Sequence, residues 1–311
     1  MSVVCTLCIV FATVGGVLSA KLLTGLYLGE EIVLASLDDK SESMGVVNIL
    51  LLGVDEGGMR SDTIMLANIN GRTGKVNILS IPRDTRIPMG RGYQKINSAV
   101  GVGAQEVKRG NLQEPEELSV KKVKELTGLP IHYFMSVDFD GFKEVIDALD
   151  GVDFEIPFHM KYDDPVQNLH IDLKPGMQHL DGEAAHDFVR FRQGNPGYKG
   201  YAMGDLGRIE AQQAFVKALV EQKVNAKYLL KAGELFEVVK KYVRTNYTAK
   251  DLIMHLGTIS KIDSENVQMI QLPGYPQTIS NISYYICSDS KMRELADTVF
   301  SPFAETDTNE E

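Results

Sequence analysis

Three features of the sequence predict an α/β domain behind an apolar leader. Residues 46–55 (VVNILLLGVD) form an unbroken hydrophobic run that stops at Gly-Val-Asp. A strand buried on both faces reads this way, because a half-exposed strand would alternate apolar and polar residues. Residues 114–156 then pass through helix, strand, helix and strand patterns, the rhythm of an α/β sheet. The leader is marked by charge: none of residues 1–20 carries any.

Residues 1–28 are long and apolar enough to span a bilayer as a helix, with Leu22–Leu28 extending the run past Lys21. A cleaved signal peptide is the rival, with Ser19 and Ala20 as small residues near a cut. The missing basic n-region and the length of the apolar run favour an uncleaved transmembrane anchor. No Lys or Arg precedes the span, so flanking charge does not orient it. Residues 29–45 lose the apolar continuity and read as a juxtamembrane linker. The folded domain is expected over 46–300, and the acidic stretch 301–311 as a disordered tail.

The chain of 311 residues allows a substantial core, and its 44% hydrophobic and 24% charged residues are those of a globular protein. Its formal net charge of −10 argues against a general nucleic-acid binder, while leaving room for a small basic pocket. Cys5 and Cys8 fall in the apolar span and Cys287 stands alone, so the domain has neither zinc spacing nor a disulfide pair.

In order, residues 61–70 (SDTIMLANIN) predict a second strand, residues 71–74 (GRTG) a hairpin turn, and KVNILSIP a third strand. Pro82 and Pro88 bracket RDTRI, predicting an ordered, non-helical loop. Residues 114–128 predict a helix, with acidic residues leading, lysines following, and Gly128 and Pro130 stopping it. A strand over IHYFMSVDF, a short amphipathic helix over 142–149 and a strand over 151–156 follow. Residues 160–176 read as a polar hairpin or flap, and 184–189 as a helix. Helices are expected over 228–243, 249–262 and 289–299, and a strand over NVQMIQLP. The Ser- and Tyr-rich stretch 273–289 either lines a groove or covers a sheet edge.

Charged residues gather at predicted strand ends: Asp55, Arg60, Asp62 and Arg83. Ligands of open α/β sheets collect there, and two carboxylates beside two arginines suit a divalent cation held against a phosphate. Strand-end ion pairs are the plainer explanation for any one of them. Lys95 is either a phosphate contact or a solvated surface lysine. The densest stretch is 181–218. There Arg190 and Arg192 close one helix, and Asp205, Arg208 and Gln212 share one face of the next. A helix start carrying such a stripe suits an anion site, and equally an Arg–Asp network tying loop to helix. His179 and His186 lie near these segments, where a lone histidine is more often structural than a base.

Taken together, NILLLGVD, RSDTIMLANIN, VNILSIPRDTRIP, KINSA, VDFDGFKEVIDALDGV, YDDP, LHIDLKPGMQHLDGEAA, VRFR and GDLGRIEAQQ closely resemble, in this order, the LytR-CpsA-Psr family of bacterial cell-wall ligases. The resemblance covers roughly residues 46–222. It implies a mixed central β-sheet flanked by helices, with a hydrophobic pocket for a lipid tail. It also implies a membrane-anchored transferase on the outer side of the cytoplasmic membrane of a Gram-positive type bacterium. The expected reaction moves a glycopolymer, such as wall teichoic acid or capsule, from a polyprenyl-pyrophosphate carrier to peptidoglycan. By the same resemblance Asp55 and Asp62 match carboxylates associated with Mg²⁺ (or Mn²⁺), and Arg83 an arginine on the head group. Arg190, Arg192, Asp205, Arg208 and Gln212 match the remaining catalytic set, and Arg60, Arg86 and Lys95 occupy segments that approach the phosphates. Two departures stand out: a short loop between Asp55 and Ser61, and Ser98 where the family usually has His. A polyprenyl-pyrophosphate hydrolase, a lipid-glycan binding or sensor module, and a transcription attenuator are the competing readings. The acidic balance speaks against the last.

Overall fold

The computed structural model describes residues 45–55, 57–165, 169–202, 205–223, 238, 241–248, 251, 255 and 266–301. The expected anchor, nearly all of the expected linker and tail, and most of the helices expected over 228–243 and 249–262 lie outside these residues. Among the described residues no helix is long and apolar enough to cross a membrane.

A six-stranded mixed sheet forms the centre. It is built from β1 (Val46–Val54), β2 (Ser61–Asn70), β3 (Val76–Ser80), β6 (Tyr133–Val137), β11 (Val243–Thr245) and β12 (Val267–Gln271), in the order β11-β6-β1-β2-β3-β12. β6 runs parallel to β1 and β12 parallel to β3, while β2 is antiparallel to both β1 and β3. β1, β3, β6 and β12 therefore point their carboxyl ends the same way.

The long apolar runs are needed because both faces of the sheet are covered. Leu50, Leu52, Ile64, Leu66 and Leu79 pack on one side with Val123 of α2 (Glu116–Thr127) and Met292 of α6 (Asp289–Thr298). The alternate residues Leu51, Met65, Ala67 and Ile78 pack on the other. Their partners include α3 (Phe139–Ala148), Phe188 of α4 (Gly182–Arg190) and Phe215 of α5 (Asp205–Lys223). The period of two along a strand thus serves two separate cores.

One row of the sheet is polar although buried. Asn48, Asn68 and Asn77 are paired across β1, β2 and β3. Asn68 Nδ2 donates to Asn48 Oδ1 at 2.8 Å and to the Phe300 carbonyl at 3.3 Å, and Asn77 Nδ2 donates to the Val299 carbonyl at 3.1 Å. Asn48 Nδ2 donates to the Pro130 carbonyl at 2.7 Å. The row satisfies backbone carbonyls at the ends of two segments that cross the sheet, which offsets part of the cost of burying three amides; Asn77 Oδ1 has no partner among the described residues.

Several expectations needed adjustment. The bracketed loop 82–88 leads into a hairpin of β4 (Arg86–Met89) and β5 (Gly92–Lys95). A helix that propensity does not announce, α1 (Ala99–Lys108), follows it. Its two glycines weaken the helical signal but are required by packing. A Cβ on Gly101 would strike the Met59 carbonyl oxygen, and one on Gly103 the Pro115 carbonyl oxygen. Val243, expected to close a helix, starts edge strand β11. The expected strand at 151–156 is β7 (Val152–Ile156), and it pairs with a strand not anticipated, β10 (Gly176–Leu180). The polar flap is a hairpin of β8 (Met160–Asp164) and β9 (Leu169–Leu173). The stretch 273–289 folds into β13 (Gly274–Ile279) and β14 (Ile282–Cys287). Burial pushes the Cys287 thiol up to about 11, so it stays protonated and unreactive at neutral pH.

Replacing Asn68 with Ala should cost about 1–3 kcal/mol of stability, because neighbouring amides and the Phe300 carbonyl lose their partner. The urea midpoint should fall with an unchanged m-value.

Candidate active site

The aligned strand ends carry the cleft. Asp55 follows β1, Asp62 is the second residue of β2, Arg83 follows β3, and Phe139 opens α3 just after β6. All four line one open cavity of about 1290 Å³. Arg60, Lys95, Arg190, Arg192 and Arg208 line it too. Six cations and three carboxylates, the third being Asp84, therefore share one cleft in a chain of net charge −10.

Local structure places each of them. Asp55 Oδ1 accepts the backbone N–H groups of Met59 and Arg60 at 2.7 and 3.1 Å, closing the short loop so that exposed Arg60 sits at the rim. Asp62 Oδ1 accepts from Arg83 at 2.9 Å, and Lys95 reaches Asp84 at 2.8 Å. The Arg83 and Asp62 side chains are 46% and 25% exposed, so their pair is solvated and mainly sets geometry. Asp181 caps α4 by accepting the Ala184 N–H at 2.9 Å; Arg190 at the far end of that helix and Arg192 just beyond it reach the cleft. The Arg190 guanidinium lies 5.1 Å from the centre of the Phe139 ring.

Gln212 belongs to the framework. It is 2% exposed, and its Nε2 donates to the Val189 carbonyl at 2.7 Å. This bond ties α5 to the end of α4 between the two arginine-bearing turns, and fills a carbonyl that the helix end leaves open. Arg208, one turn earlier on α5, lines the cleft. Asp205 begins α5, and its side chain lies outside the described residues. Arg86, expected near the phosphates, is not among the cleft-lining residues: its guanidinium stacks over the Tyr93 ring at 3.5 Å. Ser98 lines the cleft, and its hydroxyl donates to the Lys95 carbonyl at 2.8 Å.

Behind the cations the cleft continues into a second cavity of about 490 Å³, lined by Ile64, Met65, Ile81, Met269 and Ile270 and bounded by Arg83, Arg192, Arg208 and Gln212. A charged mouth therefore leads to a partly apolar interior beside β2 and β12. Of the two roles expected for 273–289, groove lining holds for the β13–β14 hairpin, whose Tyr284 lines both cavities. Only the Tyr and Ser content of 273–289 hinted at it.

The residues fit a hard divalent cation. Asp55 and Asp62 border the same cavity, and each is engaged by the described residues through Oδ1, so Oδ2 of each is a further oxygen donor. Two carboxylates completed by substrate oxygens are the usual holding of Mg²⁺. A second group, Glu183, His186 and Asp187 on α4, has ligand atoms within 4.8 Å of one another. It does not line the cleft, Glu183 is met by Lys143 at 3.4 Å, and the His186 ring packs on Phe139 at 5.0 Å between centres.

Fold and cleft together define a mixed-sheet α/β domain with a cationic site at the strand ends and an apolar chamber behind it. The chain belongs to the LytR_cpsA_psr family, whose model matches residues 30–301. It is 34% identical over 259 residues to a polyisoprenyl-teichoic acid–peptidoglycan teichoic acid transferase TagU of Oceanobacillus iheyensis, covering 80% of this chain and 73% of that one. The Bacillus cereus TagU of the same description is 32% identical over 255 residues, covering 80% and 76%. The crystal structure of B. subtilis TagV superposes with a TM-score of 0.64 at 25% identity, covering 84% of this chain and 98% of that one. A structure of TagT bound to LI-WTA gives 0.58 at 27% identity, covering 82% and 90%.

Binding of inorganic pyrophosphate should weaken at least about tenfold in Arg83→Ala, since a charge-assisted contact is worth about 1.5–3 kcal/mol. The affinity should also fall with rising salt. Isothermal titration at two ionic strengths reads both effects.

Proposed function

We propose that this chain transfers a glycopolymer, of the teichoic acid class named for its relatives, from a polyprenyl-pyrophosphate carrier to peptidoglycan. The carrying observation is the junction of a six-cation cleft with a partly apolar chamber. A pyrophosphate with a lipid tail needs both at once: positive charge for its oxygens and an apolar space for its first isoprene units.

In this reading Arg83, Arg192 and Arg208, which border both cavities, grip the pyrophosphate at the mouth. Arg60, Arg190 and Lys95 approach it from the outer cleft. An acceptor hydroxyl of peptidoglycan attacks the phosphorus that carries the glycan. The new O–P bond forms as the bond to the bridging oxygen breaks, and that electron pair leaves with polyprenyl phosphate. The hydroxyl proton passes to a carboxylate or to water; Asp62 and Asp205 are the candidate acceptors. The arginines act by stabilising charge on the departing phosphate, from positions fixed before the substrate arrives. Asp55 and Asp62 would hold Mg²⁺ or Mn²⁺, which would supply further neutralisation of the phosphate oxygens.

The leader belongs to the same proposal. Residues 1–28 anchor the chain in the cytoplasmic membrane, with the domain on the outer side, where carrier lipid and peptidoglycan meet. Membrane, carrier-linked glycopolymer and peptidoglycan are its partners, and no nucleic acid is.

The test is incubation of the full chain in detergent with Mg²⁺, polyprenyl-pyrophosphate glycan and peptidoglycan oligomers, followed by mass spectrometry. A glycan–peptidoglycan conjugate is expected, reduced at least about a hundredfold in Arg83→Ala. Released glycan or free phosphate without conjugate would assign the chain as a hydrolase instead. Chelation with EDTA should slow conjugate formation, and added Mg²⁺ should restore it.

A further inference from the structure

The rim of the cleft carries an aromatic feature that phosphate binding does not use. Tyr93 is 54% exposed on β5 and lines the cavity beside Gln94 and Lys95. Its ring is held in place by a stacked guanidinium. The Arg86 guanidinium stacks over its ring at 3.5 Å and lies 5.8 Å from the ring centre of Tyr284. Arg86 thus sits between two rings from two hairpins, and its buried Nε has no hydrogen-bond partner among the described residues. Stacking therefore orients this part of the side chain. The hairpins are themselves joined, with the Tyr285 N–H donating to the Asp84 carbonyl at 2.9 Å and Thr85 bridging to Tyr285. Ile282, 46% exposed, lines the cavity from the second hairpin.

The result is a rigid, partly apolar wall with a tyrosine ring on it, next to the cations of the pyrophosphate site. Polar side chains stand close by: Gln94, Asn97 and Ser98 also line this cavity. A flat apolar face beside hydrogen-bonding groups is complementary to a pyranose ring, whose C–H face meets the negative face of an aromatic ring while its hydroxyls seek polar partners. A lipid tail would need no such polar surround, and a second phosphate would be repelled by the π face.

We propose that Tyr93, backed by Arg86 and Tyr284, is a stacking platform for a sugar ring at the reacting end of the glycan substrates. This inference rests on the transferase reading above and adds the subsite that recognises sugar. The sugar is either the first residue of the donor, attached to the pyrophosphate, or the acceptor residue of peptidoglycan. Tyr93 makes the same C–H contact with either. It serves as a positioning residue, with Arg86 acting through it.

Steady-state transfer by the full chain, with binding of sugar-free polyprenyl pyrophosphate as a control, tests the platform. Tyr93→Ala should raise KM by about fivefold to tenfold for one substrate, matching an aromatic contact of about 1–1.5 kcal/mol. Tyr93→Trp should keep KM near that of the native chain. A rise confined to the donor assigns its first sugar, and a rise confined to peptidoglycan assigns the acceptor. Arg86→Met, which removes the cation but keeps bulk, should raise the same KM to a smaller extent. Binding of the sugar-free lipid should stay unchanged in all three variants, and thermal melts confirm that they remain folded. Unchanged KM values in Tyr93→Ala would overturn the proposal, as would equal weakening of the sugar-free lipid. Failure of the transferase reading looks different: the native chain itself would form no conjugate.

Discussion

The arrangement depends on holding like charges together. Two guanidinium groups about 6 Å apart repel by about 3 kcal/mol at an effective dielectric of 20, and this cleft collects five arginines and a lysine. Two carboxylates relieve part of that repulsion, Asp62 on Arg83 and Asp84 on Lys95. The elements that carry the cations are held in place by the framework: the Gln212 bond to the end of α4, the capped start of that helix, and the Asp55-closed loop. The charges face a shared space before any anion enters. A polyanion arriving there replaces repulsion with attraction without first rearranging the protein.

The double-sided sheet makes this rigidity available. Each central strand sends alternate residues into two separate cores, so the strand ends cannot shift without disturbing both. Tight packing resists such movement. The asparagine row adds direction to what apolar contacts leave free. Leucines would tolerate a slide of the C-terminal segment along the sheet, whereas the amide contacts to the Val299 and Phe300 carbonyls fix its position.

Much of this was legible in the chain. The run VVNILLLGVD announced a strand covered on both faces, and SDTIMLANIN gave the second strand with its boundaries intact. The charged residues at strand ends were visible because a solvated charge directly after a long apolar run is conspicuous. Long-range packing was not legible. The α1 glycines look like helix breakers until the Met59 and Pro115 carbonyls approach them. Gln212 reads as one of a polar stripe, yet its partner is a carbonyl 23 residues away. Arg86 sits among phosphate-site neighbours in sequence, but the register of β4 with β5 and the docking of a hairpin nearly 200 residues later turn it toward two rings.

The ends of the folded domain carry a geometric consequence. Val46 opens β1 across from Asn70, and Phe300 lies against Asn68 in the same lower part of the sheet, while Asp55 marks the cleft at the other end. Nine residues of strand separate the entry point from the cleft by about 30 Å. If residues 1–28 hold the chain in a bilayer, the cleft starts out on the side of the domain away from its own tether. A carrier lipid embedded in that bilayer is then reachable only if the domain tips over. Residues 29–45 can extend to at most about 55–60 Å, roughly twice the distance to be recovered. Under that condition a tether of this length would let the domain lie on its side against the bilayer.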